Sequence, residues 1–329
     1  MRAWLLDELT GLGALRLGEA PEPEAQAGEV VLRMHYAGLN PADRYLAEHQ
    51  YPAKPPLPHI LGRDGMGTVV EVGPGVSGIA VGDRRVVLRG EVGVERGGTF
   101  AERVAAPIES LVEIPPGWEE PEAACATLVY LTAYQALTTW GALPAASVVL
   151  VTGASGGVGV ASVQLAAAMG LTVVALSRSE EKRQRLHRLG ASICLDPALP
   201  GWRGALKKAL APHRVELAID NIGGTLLPEV IDTLGDGGKV SLVGRLAGPV
   251  PSFNTAALFF RRLRMGGVAV GANTNAESRA GWQQVLSLLA RANTRPLVDS
   301  VLPFEELPQA FERLAAGPMG KVVLKVAPV

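Results

Sequence analysis

The chain has 329 residues and a formal net charge of −1, from 31 Lys and Arg against 32 Asp and Glu. That balance supplies no field for holding nucleic acid or an anionic membrane. The two cysteines, Cys125 and Cys194, are too few for a disulfide framework or a four-thiolate zinc lobe, and no apolar run of about twenty residues or cleavable leader is present; the expectation is a soluble, cytoplasmic protein long enough for two domains.

In chain order, residues 1–118 are rich in glycine, proline and short alternating apolar segments such as 67–72 and 84–88, which predict small strands joined by turns. From 119 to 271 the pattern changes. Strands at 148–151, 172–176, 217–219 and 240–243 alternate with helical stretches, the α/β signature of a parallel, doubly wound sheet. Residues 281–292 and 308–315 then read as amphipathic helices, and 321–326 as a closing strand that returns to the first domain. The expected organisation is therefore one β-rich domain from 1–118 and 272–329, and a second domain from 119–271.

The most informative stretch is V-V-L-V-T-G-A-S-G-G-V-G-V-A at 148–161. An apolar strand enters a glycine-rich turn, Ala154-Ser155-Gly156-Gly157-Val158-Gly159, and a small-residue helix follows over 160–169. Glycines let the backbone turn and approach a pyrophosphate, whose charge the free N–H groups of the helix start stabilise. Aligned on Gly156 and Gly159, the first glycine of the G-x-G-x-x-G pattern is replaced by Ala154, so the turn must accept a methyl group there.

The next strand ends in Ser177-Arg178-Ser179, where an NAD-binding fold places a carboxylate for the ribose 2′-hydroxyl. Ser177 can donate hydrogen bonds, and Arg178 and Lys182 can pair with a 2′-phosphate, which favours NADPH. An alternative stands: both cations could belong to the solvated first turn of a helix that also carries Glu180 and Glu181. The five histidines form no metal spacing, and His59 and His187 read as surface or packing residues.

Further segments carry a resemblance. A-G-L-N-P-A-D at 37–43, L-G-R-D-G-M-G-T-V-V-E-V-G at 61–73, V-G-D-R at 81–84, G-G-T-F-A-E at 97–102, L-T-A-Y-Q-A-L at 131–137 and G-K-V-V-L at 320–324, together with the cradle, make the chain similar to the zinc-free quinone oxidoreductase branch of the medium-chain dehydrogenase/reductase superfamily. The resemblance covers nearly the whole length. It implies a GroES-like β-rich catalytic domain, a Rossmann domain, and an active site in the cleft between them. It also implies that the positions of the zinc ligands in the alcohol dehydrogenases are here Asn40, Arg63 and Leu128, and that the proton-relay hydroxyl is replaced by Ala42. Residues 89–98, where the structural zinc lobe would fall, contain no cysteine.

Alcohol oxidation needs the O–H deprotonated, which a metal makes possible; an electron-poor acceptor takes hydride with less help. The expected activity is NADPH-dependent reduction of a quinone or other conjugated carbonyl. Alternatives are an enoyl or alkenal reductase and a non-catalytic NADPH-binding protein. The resemblance assigns Asn40, Tyr45, Tyr51 and Arg63 to the catalytic cleft, although the tyrosines could instead cover apolar surface and Arg63 could be paired with Asp64 or another carboxylate. It sets Thr132 beside the nicotinamide and gives the backbone of Val243, Val268 and Val270 to its carboxamide. Asn221, at a strand end, borders the adenine-ribose side. Residues 266–271 resemble the edge strand through which the superfamily forms homodimers.

Overall fold

Alternating apolar residues between glycine and proline breaks fold as strands at the start of the chain, because each segment can bury one face only. A computed structural model describes residues 1–88, 91–249 and 252–326; the last three residues of the expected 272–329 segment and the first two of the 89–98 stretch lie outside the described residues. The first part contains β1 (Arg2–Leu6), β2 (Leu15–Glu19), β3 (Glu29–Gly38), α1 (Pro41–Ala47), β4 (His59–Ile60), β5 (Asp64–Val72), β6 (Arg84–Val87), β7 (Arg103–Pro107), β8 (Leu111–Glu113), α2 (Glu120–Ala124) and α3 (Thr127–Thr138). There follow β9 (Val148–Val151), α4 (Gly157–Ala168), β10 (Thr172–Leu176), α5 (Glu180–Arg188), β11 (Ile193–Leu195), α6 (Trp202–Leu210), β12 (Val215–Asp220), α7 (Leu226–Thr233), β13 (Leu234–Leu242), α8 (Ala256–Phe260) and β14 (Arg264–Gly267). The chain closes with α9 (Asn275–Arg291), β15 (Val298–Pro303), α10 (Leu307–Ala315) and β16 (Lys321–Lys325).

Two compact units result: Met1–Leu128 with Asn273–Arg279 and Arg295–Val329, and Val129–Ala272 with Ala280–Thr294. The first division falls after Leu128 instead of near Trp118 because α2 packs on β3 and β5. In the first unit a seven-stranded sheet has the order β15-β16-β3-β5-β6-β8, with β7 also on β3, and a three-stranded sheet runs β2-β1-β4. Strand β16 returns from the end of the chain to lie antiparallel to β3, Leu324 opposite Ala37. The core joins both ends of the sequence: Trp4, Leu32, Met34 and Phe100 are buried with Phe304, Phe311 and Leu324, Phe100 meets Phe311 edge-on at 6.1 Å, and the Trp4 indole donates to Phe304 O at 2.9 Å.

The second unit is a six-stranded parallel sheet ordered β11-β10-β9-β12-β13-β14. Every residue of β9 is buried, as a central strand covered on both faces requires. Strand order reverses between β9 and β12, and ligands of open α/β sheets bind at the carboxyl ends of strands at such a reversal. Helix α4 starts at Gly157, three residues before the expected start. The outer strand β14 pairs Arg264–Gly267 with residues 239–242 of β13, not 266–271: β13 ends at Leu242, whose carbonyl takes the Val268 N–H, and residues 270–272 form a 3₁₀ turn. Among the described residues, no helix is long and apolar enough to cross a membrane.

Candidate functional site

The turn after β9 is built by Gly153, which adopts φ 56°, a left-handed conformation that a side chain disfavours. Ala154, the departure from the glycine pattern, does not need that freedom: it is fully buried and its N–H donates to Leu176 O at 3.2 Å. Two glycines then have distinct duties. A Cβ on Gly159 would lie 2.3 Å from Gly153 O and 2.6 Å from Ala154 Cα, so helix and turn touch backbone to backbone there. A Cβ on Gly156 would meet only Gly153 O, at 3.5 Å, which leaves the outer side of the turn open for a ligand. Ser155, Gly156, Gly157 and Val158 are partly exposed, and no side chain caps the start of α4. The uncapped N–H groups and the positive helix end fit a pyrophosphate.

The neighbouring strand ends converge on this turn. Thr152 Oγ1 donates to Asp220 at 2.7 Å, and Asn221 donates from its backbone N–H to Thr152 Oγ1 at 2.9 Å and from Nδ2 to Thr152 O at 2.8 Å. The buried Asn221 Oδ1 has no partner among the described residues, an orphaned acceptor that a ribose hydroxyl would satisfy. Burial pushes the Asp220 carboxyl above its ordinary value, against the Thr152 hydroxyl and the N–H groups of Ile222 and Gly223. Val243 donates to Asp220 O and Val268 to Leu242 O, both at 2.9 Å; Val270 opens the 3₁₀ turn, and Thr132 lies partly buried within α3.

At the end of β10, Ser177 is buried and Arg178 exposed. Ser179 accepts the Lys182 N–H at 3.4 Å as the cap of α5, so its hydroxyl oxygen already has a structural task. The pattern reading missed Arg183, whose Nη1 donates to Ser177 O at 2.8 Å and to Arg178 O at 3.0 Å.

The first unit holds a second polar cluster, around α1. Lys321 Nζ donates to Leu39 O at 2.7 Å, Asn40 Oδ1 at 2.6 Å and Asp64 Oδ2 at 3.0 Å, which uses all three of its N–H groups. Asn40 Nδ2 donates to Asp64 Oδ2 at 3.0 Å and Gly38 O at 3.5 Å. The other Asp64 oxygen accepts from Thr127 Oγ1 at 3.1 Å and the Leu128 N–H at 3.3 Å. Arg63 pairs with Asp43, not with Asp64: Nε donates to Asp43 Oδ1 at 3.0 Å, Nη2 to Ala42 O at 3.2 Å, and the guanidinium carbon lies 4.8 Å from the centre of the Tyr51 ring. Burial pulls the Arg63 guanidinium down, but Asp43 and Tyr51 outweigh it and hold the group above its ordinary value. Burial pushes Asp43 up, against Arg63 and the Asn40 N–H. Asn40, Arg63 and Tyr51 are thus brought together; Tyr45 sits partly buried on α1, its carbonyl accepting from the Gln50 N–H at 2.8 Å.

Both thiols are out of play as nucleophiles at neutral pH. Burial pushes Cys125 up to about 12, with Lys321 pulling the other way, and Cys194 up to about 11, with Arg183 pulling the other way. Of the two histidines read as surface or packing residues, His59 is buried and His187 is exposed, its Nδ1 2.8 Å from Ala191 O.

Two family models match in order along the chain: an alcohol dehydrogenase GroES-like domain over residues 26–116 and a zinc-binding dehydrogenase domain over residues 157–291. An alcohol dehydrogenase of Geobacillus stearothermophilus is 30% identical over 349 residues, covering 95% of this chain and 96% of the relative. The chain belongs to the medium-chain dehydrogenase/reductase superfamily. It is an oxidoreductase of that superfamily. A quinone oxidoreductase of Sus scrofa is 29% identical, over 92% of this chain and 90% of the relative. Among solved structures, an NAD-dependent alcohol dehydrogenase superposes with a TM-score of 0.91 at 30% identity, covering 99% and 100% of the two chains, and a mycobacterial protein complexed with NADPH with 0.89 at 27%, also covering 99% and 100%.

A zinc ion does not fit the three side chains that the resemblance sets at the ligand positions. Leu128 has no donor atom, Asn40 has both ends of its amide engaged, and Arg63 is a cation. Among the described residues, no three His, Cys, Asp or Glu side chains gather into a group that could hold a metal ion.

Proposed function

We propose that the chain is a zinc-independent, NADPH-dependent reductase that transfers hydride to a quinone or another conjugated carbonyl acceptor. The observation that carries this reading is the occupation of Asn40 and Arg63 by Lys321, Asp64 and Asp43, in a chain whose dinucleotide cradle is intact. NADPH, when bound, supplies the hydride. The N–H groups at the start of α4 hold the pyrophosphate, and Asn221 Oδ1 offers an acceptor to a ribose hydroxyl. Ser177, Arg178 and Lys182 take the 2′-phosphate; the absence of a carboxylate at 177–179 favours NADPH over the NAD used by one structural neighbour.

In the first unit Asn40 has no N–H left to donate, so it shapes the wall without polarising the acceptor. Tyr51, held on the Arg63 guanidinium, and Tyr45 carry the O–H groups that serve the reduced oxygen. Alcohol oxidation lacks a means of stabilising an alkoxide here, since Ala42 has no relay hydroxyl and the zinc ligands are missing. A quinone spreads the incoming charge over its own oxygens and needs mainly positioning. The similarity to the pig quinone oxidoreductase supports this assignment. The test is a panel of alcohols, quinones and enones assayed with NADPH or NADP⁺ as the direction requires. Quinone or enone turnover with little alcohol oxidation is expected; robust oxidation of a simple alcohol with no quinone or enone reduced would overturn the reading.

A further inference from the structure

Loop 177–179 joins β10 to α5 and carries the proposed 2′-phosphate contacts, yet its backbone is held by a residue outside that set. Arg183 Nη1 takes two successive carbonyls, Ser177 O at 2.8 Å and Arg178 O at 3.0 Å. The same guanidinium lies 3.6 Å from Asp196 just beyond β11 and 3.5 Å from Glu180 in the first turn of α5. The Ser177 N–H meanwhile donates to Leu195 O at 3.0 Å. The loop is therefore clasped from both sides: by the sheet through its N–H and by one guanidinium through its carbonyls. Arg183 is 18% exposed and its Nη1 is directed at backbone, whereas Arg178 is exposed at the rim.

We infer that Arg183 is a positioning residue for cofactor selectivity, fixing the 177–179 backbone so that Ser177 and Arg178 meet a 2′-phosphate already in place. The inference rests on the NADPH reading above. Its physical content is preorganisation: a loop ordered before binding does not have to be ordered by the ligand. NADH has no 2′-phosphate and gains little from that order, so the effect separates the two cofactors. Both N–H groups of Nη1 are spent on the two carbonyls while Nη2 faces Glu180; a lysine ammonium could reach the carbonyls but would give up the second nitrogen and its contact.

The experiment measures dissociation constants of the full chain for NADPH and NADH, and for adenosine 2′,5′-bisphosphate and AMP as probes of the phosphate alone. Arg183→Met should weaken NADPH and the bisphosphate at least about fivefold while NADH and AMP stay within about twofold, with Arg183→Lys intermediate. Saturating NADPH should restore kcat, so the loss appears in KM. If the wild type itself does not prefer NADPH, the cofactor reading fails and the inference fails with it. If the wild type prefers NADPH but Arg183→Met leaves the ratio unchanged, or weakens all four ligands alike, the positioning role is overturned while the cofactor reading survives. Should Arg183→Met not fold, Arg183→Lys carries the same comparison of ratios.

Discussion

Arg63→Met should be among the most damaging single changes in the first unit, and the reason is Asp43. The Asp43 side chain is fully buried and that of Arg63 3% exposed. Removing the guanidinium leaves a buried carboxylate with the Asn40 N–H at 2.9 Å as its remaining close donor. Breaking a buried pair from one side costs about 3–5 kcal/mol, a large share of the roughly 5–15 kcal/mol that holds a domain folded. The pH dependence follows from the same geometry. Burial already pushes Asp43 up, and without Arg63 its folded value rises further above the unfolded one, so the folded state binds the extra proton. The destabilisation relative to wild type is then full above that raised value and shrinks as pH falls through it toward the ordinary carboxylate range. Urea unfolding of both proteins at about pH 5 and about pH 7.5 measures it. The double variant Arg63→Met, Asp43→Asn should recover most of the loss, since no charge is left behind and the amide oxygen still accepts from Asn40. A cost for Arg63→Met below about 1 kcal/mol, or no recovery with Asp43→Asn, would refute the reasoning.

Gly159→Ala should abolish tight dinucleotide binding, because its Cβ would lie 2.3 Å from Gly153 O and neither backbone can yield; calorimetric titration with NADPH checks it, and undiminished affinity would contradict the packing argument. A strong chelator should leave quinone reduction unchanged, given Asn40, Arg63 and Leu128 at the ligand positions. Elemental analysis showing stoichiometric zinc that turnover requires would count against zinc independence. We also expect a homodimer, formed where β14 ends the parallel sheet; light scattering giving the monomer mass at micromolar concentration would remove it.

What could be seen in advance divides along the reach of the interactions. The cradle was visible because strand, turn and helix follow one another within residues 148–168 and each carries its own local pattern. Even there the hinge lies at Gly153 instead of the position the motif counts, since backbone conformation depends on φ and not on spacing. The sequence leaves the partner of Arg63 open between Asp64 and another carboxylate, and only the course of α1 brings Asp43 within reach. Arg183 reads as one more cation in a charged helix; nothing in E-E-K-R-Q-R-L-H-R tells which side chain folds back onto the preceding loop. Lys321 reads in the sequence as part of a closing strand, although its acceptors Leu39, Asn40 and Asp64 are 282, 281 and 257 residues away.

That separation bears on how the molecule comes into being. Asp64 and Asn40 leave the ribosome 257 and 281 residues before the ammonium that answers them, which is carried on the strand that completes the sheet beside β3. The inserted parallel sheet has all its strands in hand well before then and can consolidate during synthesis, as domains generally do. The discontinuous unit must wait. A chain that stops short of Gly320 would lack both the strand and the cation, so a stop before that residue should yield a product in which the parallel sheet is sound and the other unit retains a carboxylate it cannot afford to bury.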